Sequence, residues 1–144
     1  MTEQEFFMKA RERNVIFAPA ATVGQINLTN INLQKIHAAM LPTYMINIYQ
    51  KCSGMRLGAG YIFGPNEFNR PPKYPTPNIF QINSDLTNIA NIRGKTIFGR
   101  NDLFWFAFDS FGTCFLLDNL NLGTLRKYDD PYRAILDCLL GGRV

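Results

Sequence analysis

Few residues in this 144-residue chain have the chemistry of a catalyst, and their spacing argues against one. His37 is the only histidine, and Cys52, Cys114 and Cys138 are the only thiols. An acyl-transfer triad would need His37 as its base, yet no G-x-S-x-G elbow or other nucleophile signature occurs. A lone histidine also lacks the companions of a metal site. The cysteines are odd in number, far apart and free of any C-x-x-C pair, so they read as buried, reduced thiols. Asp102, Asp109 and Asp118 could be sought as paired acid and base, but each falls at a strand end or turn, where aspartate bonds its own backbone. Gly58-Ala59-Gly60 suggests a nucleotide loop and fails on spacing, because the next glycine is Gly64 and the glycines lead into a strand. No phosphate loop, H-E-x-x-H or EF-hand loop is found. The expectation is a protein that is not an enzyme and carries no metal or cofactor.

Residues suited to binding are easier to find. Between residues 65 and 78 the chain holds Pro65, Pro71, Pro72, Pro75 and Pro77, so it must be a surface loop with restricted torsions. A stiff exposed loop is a good contact surface, and Phe68, Arg70, Lys73 and Tyr74 are its aromatic and cationic candidates. Trp105 reads either as sheet core or as an aromatic anchor for a partner, with Asp109 at the end of the same strand. The tip at Gly99, Arg100, Asn101 and Asp102 and the pair Asp129-Asp130 are either charged rims or solvated turns.

The elements that must position these residues centre on residues 96–118, where apolar and aromatic side chains are densest. Phe104, Phe106 and Phe108 alternate with Leu103, Trp105 and Ala107, so a strand here carries apolar groups on both faces and both need cover. Asp109 to Gly112 is its turn, residues 113–117 return, 124–126 form a short strand, and 99–102 form the preceding turn. Residues 61–63 are a further strand, 79–82 a strand or helix entry, and 15–21 extended or looped.

Helix signals flank this core. Thr2 caps a first helix to about Arg13, with Glu5 placed for a capping box. Asn30 or Asn32 caps a second, with Leu33, Ile36 and Met40 on one stripe and His37 beside it. Pro42 opens a third in its first turn, which Gly54 ends, and Met45, Ile48, Tyr49 and Cys52 line it. Ser84 or Asp85 caps a brief helix carrying Leu86, Ile89 and Ile92, closed by Gly94. The last is the best marked: Asp129 or Asp130 as cap, Pro131 in the first turn, an apolar face from Tyr132 to Leu140, and Gly141-Gly142 as stop.

The pattern predicts a single α+β domain over residues 1–144, a twisted, mainly antiparallel sheet of five or six strands with N-terminal and C-terminal helices packed on it. A hydrophobic content of 47% against 18% charged residues fits a folded core of that size. The formal charge of +4 comes from scattered Lys and Arg with no run of four, which argues against nucleic-acid binding. No basic n-region with an apolar stretch opens the chain and no run of about 18 apolar residues occurs, so a cytoplasmic protein without membrane insertion is expected.

The order of these elements resembles the SUKH superfamily, proteins similar to fungal regulators of cell-wall glucan synthesis. The residues that carry the likeness are Leu41-Pro42, Ile48, Ser53-Gly54, Ile97-Phe98-Gly99, Phe108-Asp109 with Gly112, and Tyr132 through Leu140, over about residues 31–140. The family has tyrosine three residues after the proline, where this chain has Met45. The resemblance implies a non-catalytic protein-binding domain like the bacterial immunity proteins, which bind a cognate toxin and block it. It equally allows a regulator or scaffold of glucan synthesis, and a small-molecule-binding domain is the third alternative. A nuclease toxin would call for an acidic immunity protein, whereas this chain is net basic. Either its acidic residues are segregated, or the toxin is not a nuclease, or immunity is not the role.

Overall fold

In the computed structural model, which describes residues 1–67 and 76–141, the chain folds as five α-helices and a seven-stranded antiparallel sheet, an α+β architecture. The strands are β1 (Ile16–Phe17), β2 (Met55–Leu57), β3 (Gly60–Ile62), β4 (Lys95–Arg100), β5 (Phe104–Asp109), β6 (Cys114–Asp118) and β7 (Thr124–Tyr128). They lie side by side in chain order. The helices are α1 (Glu3–Glu12), α2 (Val23–Lys35), α3 (Thr43–Tyr49), α4 (Ile79–Ser84) and α5 (Pro131–Leu140). No helix among the described residues is long and apolar enough to cross a membrane.

Helix α5 organises the core. Asp130 caps it by accepting the Tyr132 N–H at 3.0 Å, Pro131 sits in its first turn, and Gly141 ends it at φ 67°. Its inner residues Ala134, Ile135, Cys138 and Leu139 are buried against the sheet. Two strands meet it through glycines. A Cβ on Gly60 would stand 2.6 Å from the Cys138 carbonyl oxygen and 2.8 Å from Leu139 Cα, and one on Gly99 would stand 2.9 Å from Cys138 Sγ. On the same face Phe98 stacks on Phe108 at 5.9 Å between centroids and lies 6.3 Å from Phe106, all three fully buried. Tyr128 reaches α5 by donating its hydroxyl to Asp137 at 2.6 Å. Helix α1 adds Phe6, 5.6 Å from Tyr132, and α3 adds Tyr49, whose hydroxyl donates to the Phe63 carbonyl at 2.6 Å.

The other face of the sheet is covered in part. Ile97 pairs Ala107 and Trp105 pairs Leu117, and among these Ile97, Ala107 and Leu117 are fully buried. The segment before β4 supplies the cover: Ile92 is buried, Leu86 and Ile89 pack on the core, and Asn91 donates to the Asn121 carbonyl at 2.8 Å in the β6–β7 turn. Both faces of β5 are therefore occupied, as its alternation requires.

Several boundaries differ from the expectation, each for an identifiable reason. The sheet has seven strands rather than five or six because β1 and β2 are two and three residues long, too short to show a period. Helix α2 begins at Val23, capped by Thr22 in a capping box with Gln25, so Asn30 and Asn32 are internal. Its inner stripe is Ile26, Thr29 and Leu33, and Thr29, whose hydroxyl bonds the Gln25 carbonyl at 2.9 Å, hides the apolar period. Asn30 instead accepts the Leu41 N–H at 2.8 Å, Met40 is exposed, and His37 lies beyond the helix at φ 60°.

Thr2 caps α1 as expected by accepting the Glu5 N–H at 3.1 Å, but the Glu5 side chain does not complete the capping box. Pro42 is the cap of α3 rather than a first-turn residue, and α3 stops at Tyr49 with Gln50 in right-handed conformation, so Gly54 does not terminate it. Residues 79–82 belong to helix α4, capped by Asn78 with Gln81, and the helix expected to start at Ser84 or Asp85 is only a 3-10 turn at Ala90–Ile92. Gly99 lies inside β4, beside a bulge between Ile97 and Gly99, rather than in a turn. The turn falls at 101–103, where Asn101 Oδ1 accepts the Leu103 and Phe104 N–H groups at 2.9 and 2.8 Å; Leu103 is thus exposed in the turn and not part of β5.

Candidate functional site: a cation and aromatic row on the sheet

Antiparallel register lines up one residue from each of four adjacent strands on the face turned away from α5. Arg56 of β2 is opposite Tyr61 of β3, Tyr61 opposite Arg100 of β4, and Arg100 opposite Trp105 of β5. Cation and aromatic alternate along this row. The Arg56 guanidinium stands 5.2 Å from the Tyr61 ring centroid, and that of Arg100 4.4 Å from the Trp105 ring, inside the range for cation–π attraction. The Trp105 indole N–H donates to Asn119 Oδ1 at 3.0 Å, which fixes the ring. Further along the same face Lys95, opposite Asp109, stands 5.2 Å from the Phe115 ring. All four residues of the row are half-buried.

The electrostatics of this face are one-sided. Among the paired strand residues, Arg56, Lys95, Arg100 and Lys127 project from it against the Asp109 carboxylate, with Asp102 in the turn beside Arg100. Neither Arg56 nor Arg100 has a carboxylate within salt-bridge distance among the described residues. A guanidinium held against a ring by cation–π attraction keeps N–H donors that can bind an anion.

Beside the row lies a pocket of about 320 Å³ lined by Ala59, Tyr61, Phe63, Thr76, Pro77 and Ile82, with Arg100, Asn101 and Asp102 at the turn end. Thr76 is 4% exposed, and its hydroxyl has no hydrogen-bond partner among the described residues. Asn101 is committed elsewhere: besides shaping the turn it donates to the Cys138 carbonyl at 3.2 Å.

The residues expected to bind a partner fall into three groups. Phe68, Arg70, Lys73 and Tyr74 lie outside the described residues, although Thr76 and Pro77, just after them in the chain, line the pocket. Trp105 belongs to the row. Asp109 is on the same face at the far end of β5, where its Oδ1 accepts the Phe111 and Thr113 N–H groups at 2.9 and 3.0 Å and so organises the β5–β6 turn. Sequence reading missed Arg56, Tyr61 and Thr76 and left Arg100 as a rim or turn residue. The signal for Arg56 and Tyr61 was register, which one strand alone does not reveal.

The nucleophiles are placed as structural groups. Burial pushes Cys52 and Cys114 up to about 12, and Cys138 higher still; the Tyr44 hydroxyl beside Cys114 at 3.2 Å is itself raised by burial. His37 lines a separate cavity of about 360 Å³ whose neighbours include Thr87, Arg93 and Lys95 and no carboxylate among the described residues. No group of three His, Cys, Asp or Glu residues among the described residues is arranged to hold a metal ion.

A scan against protein-family models finds no match for this chain, and a search of curated proteins finds none either.

Proposed function

We propose that the protein is a non-catalytic binding domain whose partner is a protein with an acidic surface, and that the sheet face carrying Arg56, Tyr61, Arg100 and Trp105 is where it docks. The observation that carries this reading is the alternation, across four strands, of aromatic groups with guanidinium groups that have no carboxylate within salt-bridge distance among the described residues. Arginine and aromatic side chains are the usual anchors of protein interfaces. A rigid sheet holds them without the entropy loss that ordering a loop would bring.

The resemblance to the SUKH superfamily adds a role, that of an immunity protein that occludes a cognate toxin. The basic face fits an acidic toxin surface rather than a basic nuclease.

Co-expression tests it. The polypeptide encoded beside this protein's gene is expressed in a host cell with and without the wild-type chain or its Arg56→Glu/Arg100→Glu variant. Growth arrest relieved by the wild type, with direct binding of the two purified proteins that the variant weakens at least tenfold, is expected. A toxic neighbour that the wild type neither binds nor relieves would overturn the immunity role. Equal binding by the variant would overturn the docking face.

A further inference from the structure

The pocket next to the row has a chemistry of its own. Its walls are apolar and aromatic: Tyr61, Phe63, Pro77 and Ile82, with Ala59 leaving room at one side. Two polar features stand out. Arg100 lines the pocket, its guanidinium 4.4 Å from the Trp105 ring centroid and without a carboxylate partner among the described residues. The Thr76 hydroxyl is buried and has no hydrogen-bond partner among the described residues. A buried hydroxyl without a hydrogen bond costs stability unless something occupies it, and a small apolar cavity with few convergent polar groups is the usual form of a ligand site.

We infer that this pocket binds a carboxylate carried on a compact apolar body, either a small organic acid or the carboxylate end of a peptide with an apolar last residue. The apolar body lies between Tyr61, Phe63 and Ile82. The carboxylate takes the N–H donors of Arg100, and the Thr76 hydroxyl donates to it. Asp102, at the rim, disfavours ligands with a second negative charge, so the site selects monocarboxylates. A volume of about 320 Å³ accommodates a body of phenylacetate size with room to spare. This site goes beyond the protein-docking reading, since its probes are small acids and its test needs no protein partner.

The test follows amide signals of the full-length protein by NMR during titration with phenylacetate and with its neutral amide, phenylacetamide. Phenylacetate should shift signals from residues around Tyr61, Thr76 and Arg100 with a millimolar dissociation constant, and phenylacetamide should bind at least tenfold more weakly. Arg100→Gln should abolish the preference for the acid. Thr76→Val, which keeps the side-chain shape, should weaken phenylacetate several-fold and serves as the deciding variant if Arg100→Gln fails to fold. A second arm compares acetyl-Ala-Ala-Phe with its C-terminal amide. Tighter binding of the free-acid peptide than of phenylacetate identifies a chain end as the ligand, and binding of phenylacetate alone identifies a small acid. Absence of shifts with both phenylacetate and the free-acid peptide, equal affinity for acid and amide, or an unchanged preference in Arg100→Gln would overturn the proposal.

Discussion

The side-chain amide of Asn83 takes the place of a missing strand on Ile97. Its Oδ1 accepts the Ile97 N–H at 2.8 Å, its Nδ2 donates to the Ile97 carbonyl at 2.8 Å, and the same nitrogen bonds the Ile79 carbonyl at 2.8 Å. Strand β3 pairs β4 only at Gly99 and Arg100, so the backbone of Ile97 would otherwise be unpaired at a buried edge. A helix residue thus completes the ladder and locks α4, the wall of the pocket that bears Ile82, to the sheet.

Asn83→Ala should therefore destabilise the protein by about 2–4 kcal/mol, since it strands a buried donor and acceptor while removing three bonds. Urea unfolding with an unchanged slope checks this. A loss below about 1 kcal/mol would mean that water satisfies Ile97.

Gly60→Ala should cost about 1–3 kcal/mol, because the added carbon meets the backbone of α5 and not a flexible side chain. Gly60 has no positive φ, so the effect is purely one of contact. Thermal unfolding measures it. Replacing Cys138 with a smaller residue should not rescue the variant, because the clash is with main-chain atoms.

Docking on the basic face should weaken with salt. The charges of Arg56 and Arg100 are half-exposed, so raising the ionic strength from low to physiological should lower the association rate with an acidic partner more than it raises the dissociation rate. Trp105, the only tryptophan, reports the event directly: its fluorescence should change on binding, and Arg100→Met should alter the emission of the free protein. Stopped-flow fluorescence at two salt concentrations reads both.

Stability should fall in alkali through the thiols. Cys52 and Cys114 rise from an ordinary 9.0 to about 12, so between these values the folded state holds protons that the unfolded chain releases. Stability from this source is present below about pH 9 and is lost as pH rises toward 12. Urea midpoints at pH 8 and pH 10.5 should show the drop, and Cys114→Ala should show a smaller one. For the same reason iodoacetamide at pH 8 should leave Cys52, Cys114 and Cys138 unmodified in the native protein and label them after unfolding.

The fold was more legible in the sequence than the site, and particular residues show why. The α5 signals are local: Asp130, Pro131 and Gly141 act on their own neighbours, and the helix lies where they place it. Helix α2 was misplaced because Thr29 turns inward, a choice that depends on a bond to Gln25 rather than on hydrophobicity. Gly99 read as a turn because a glycine signals one, whereas its reason is the approach of Cys138 from 39 residues further along the chain. The row from Arg56 to Trp105 is a product of pairing between four strands, and no local pattern encodes it.

Helix α5 follows every strand of the sheet in chain order. During synthesis the hairpins of β4 to β7 are complete before their cover exists, and Phe98, Phe106 and Phe108 present an oily plate to solvent or to a chaperone until residue 140 has left the ribosomal tunnel. Neighbour-to-neighbour pairing from β4 to β7 keeps that vulnerable interval short, because each of these strands finds its mate within a few residues, whereas β3 reaches β4 across more than thirty.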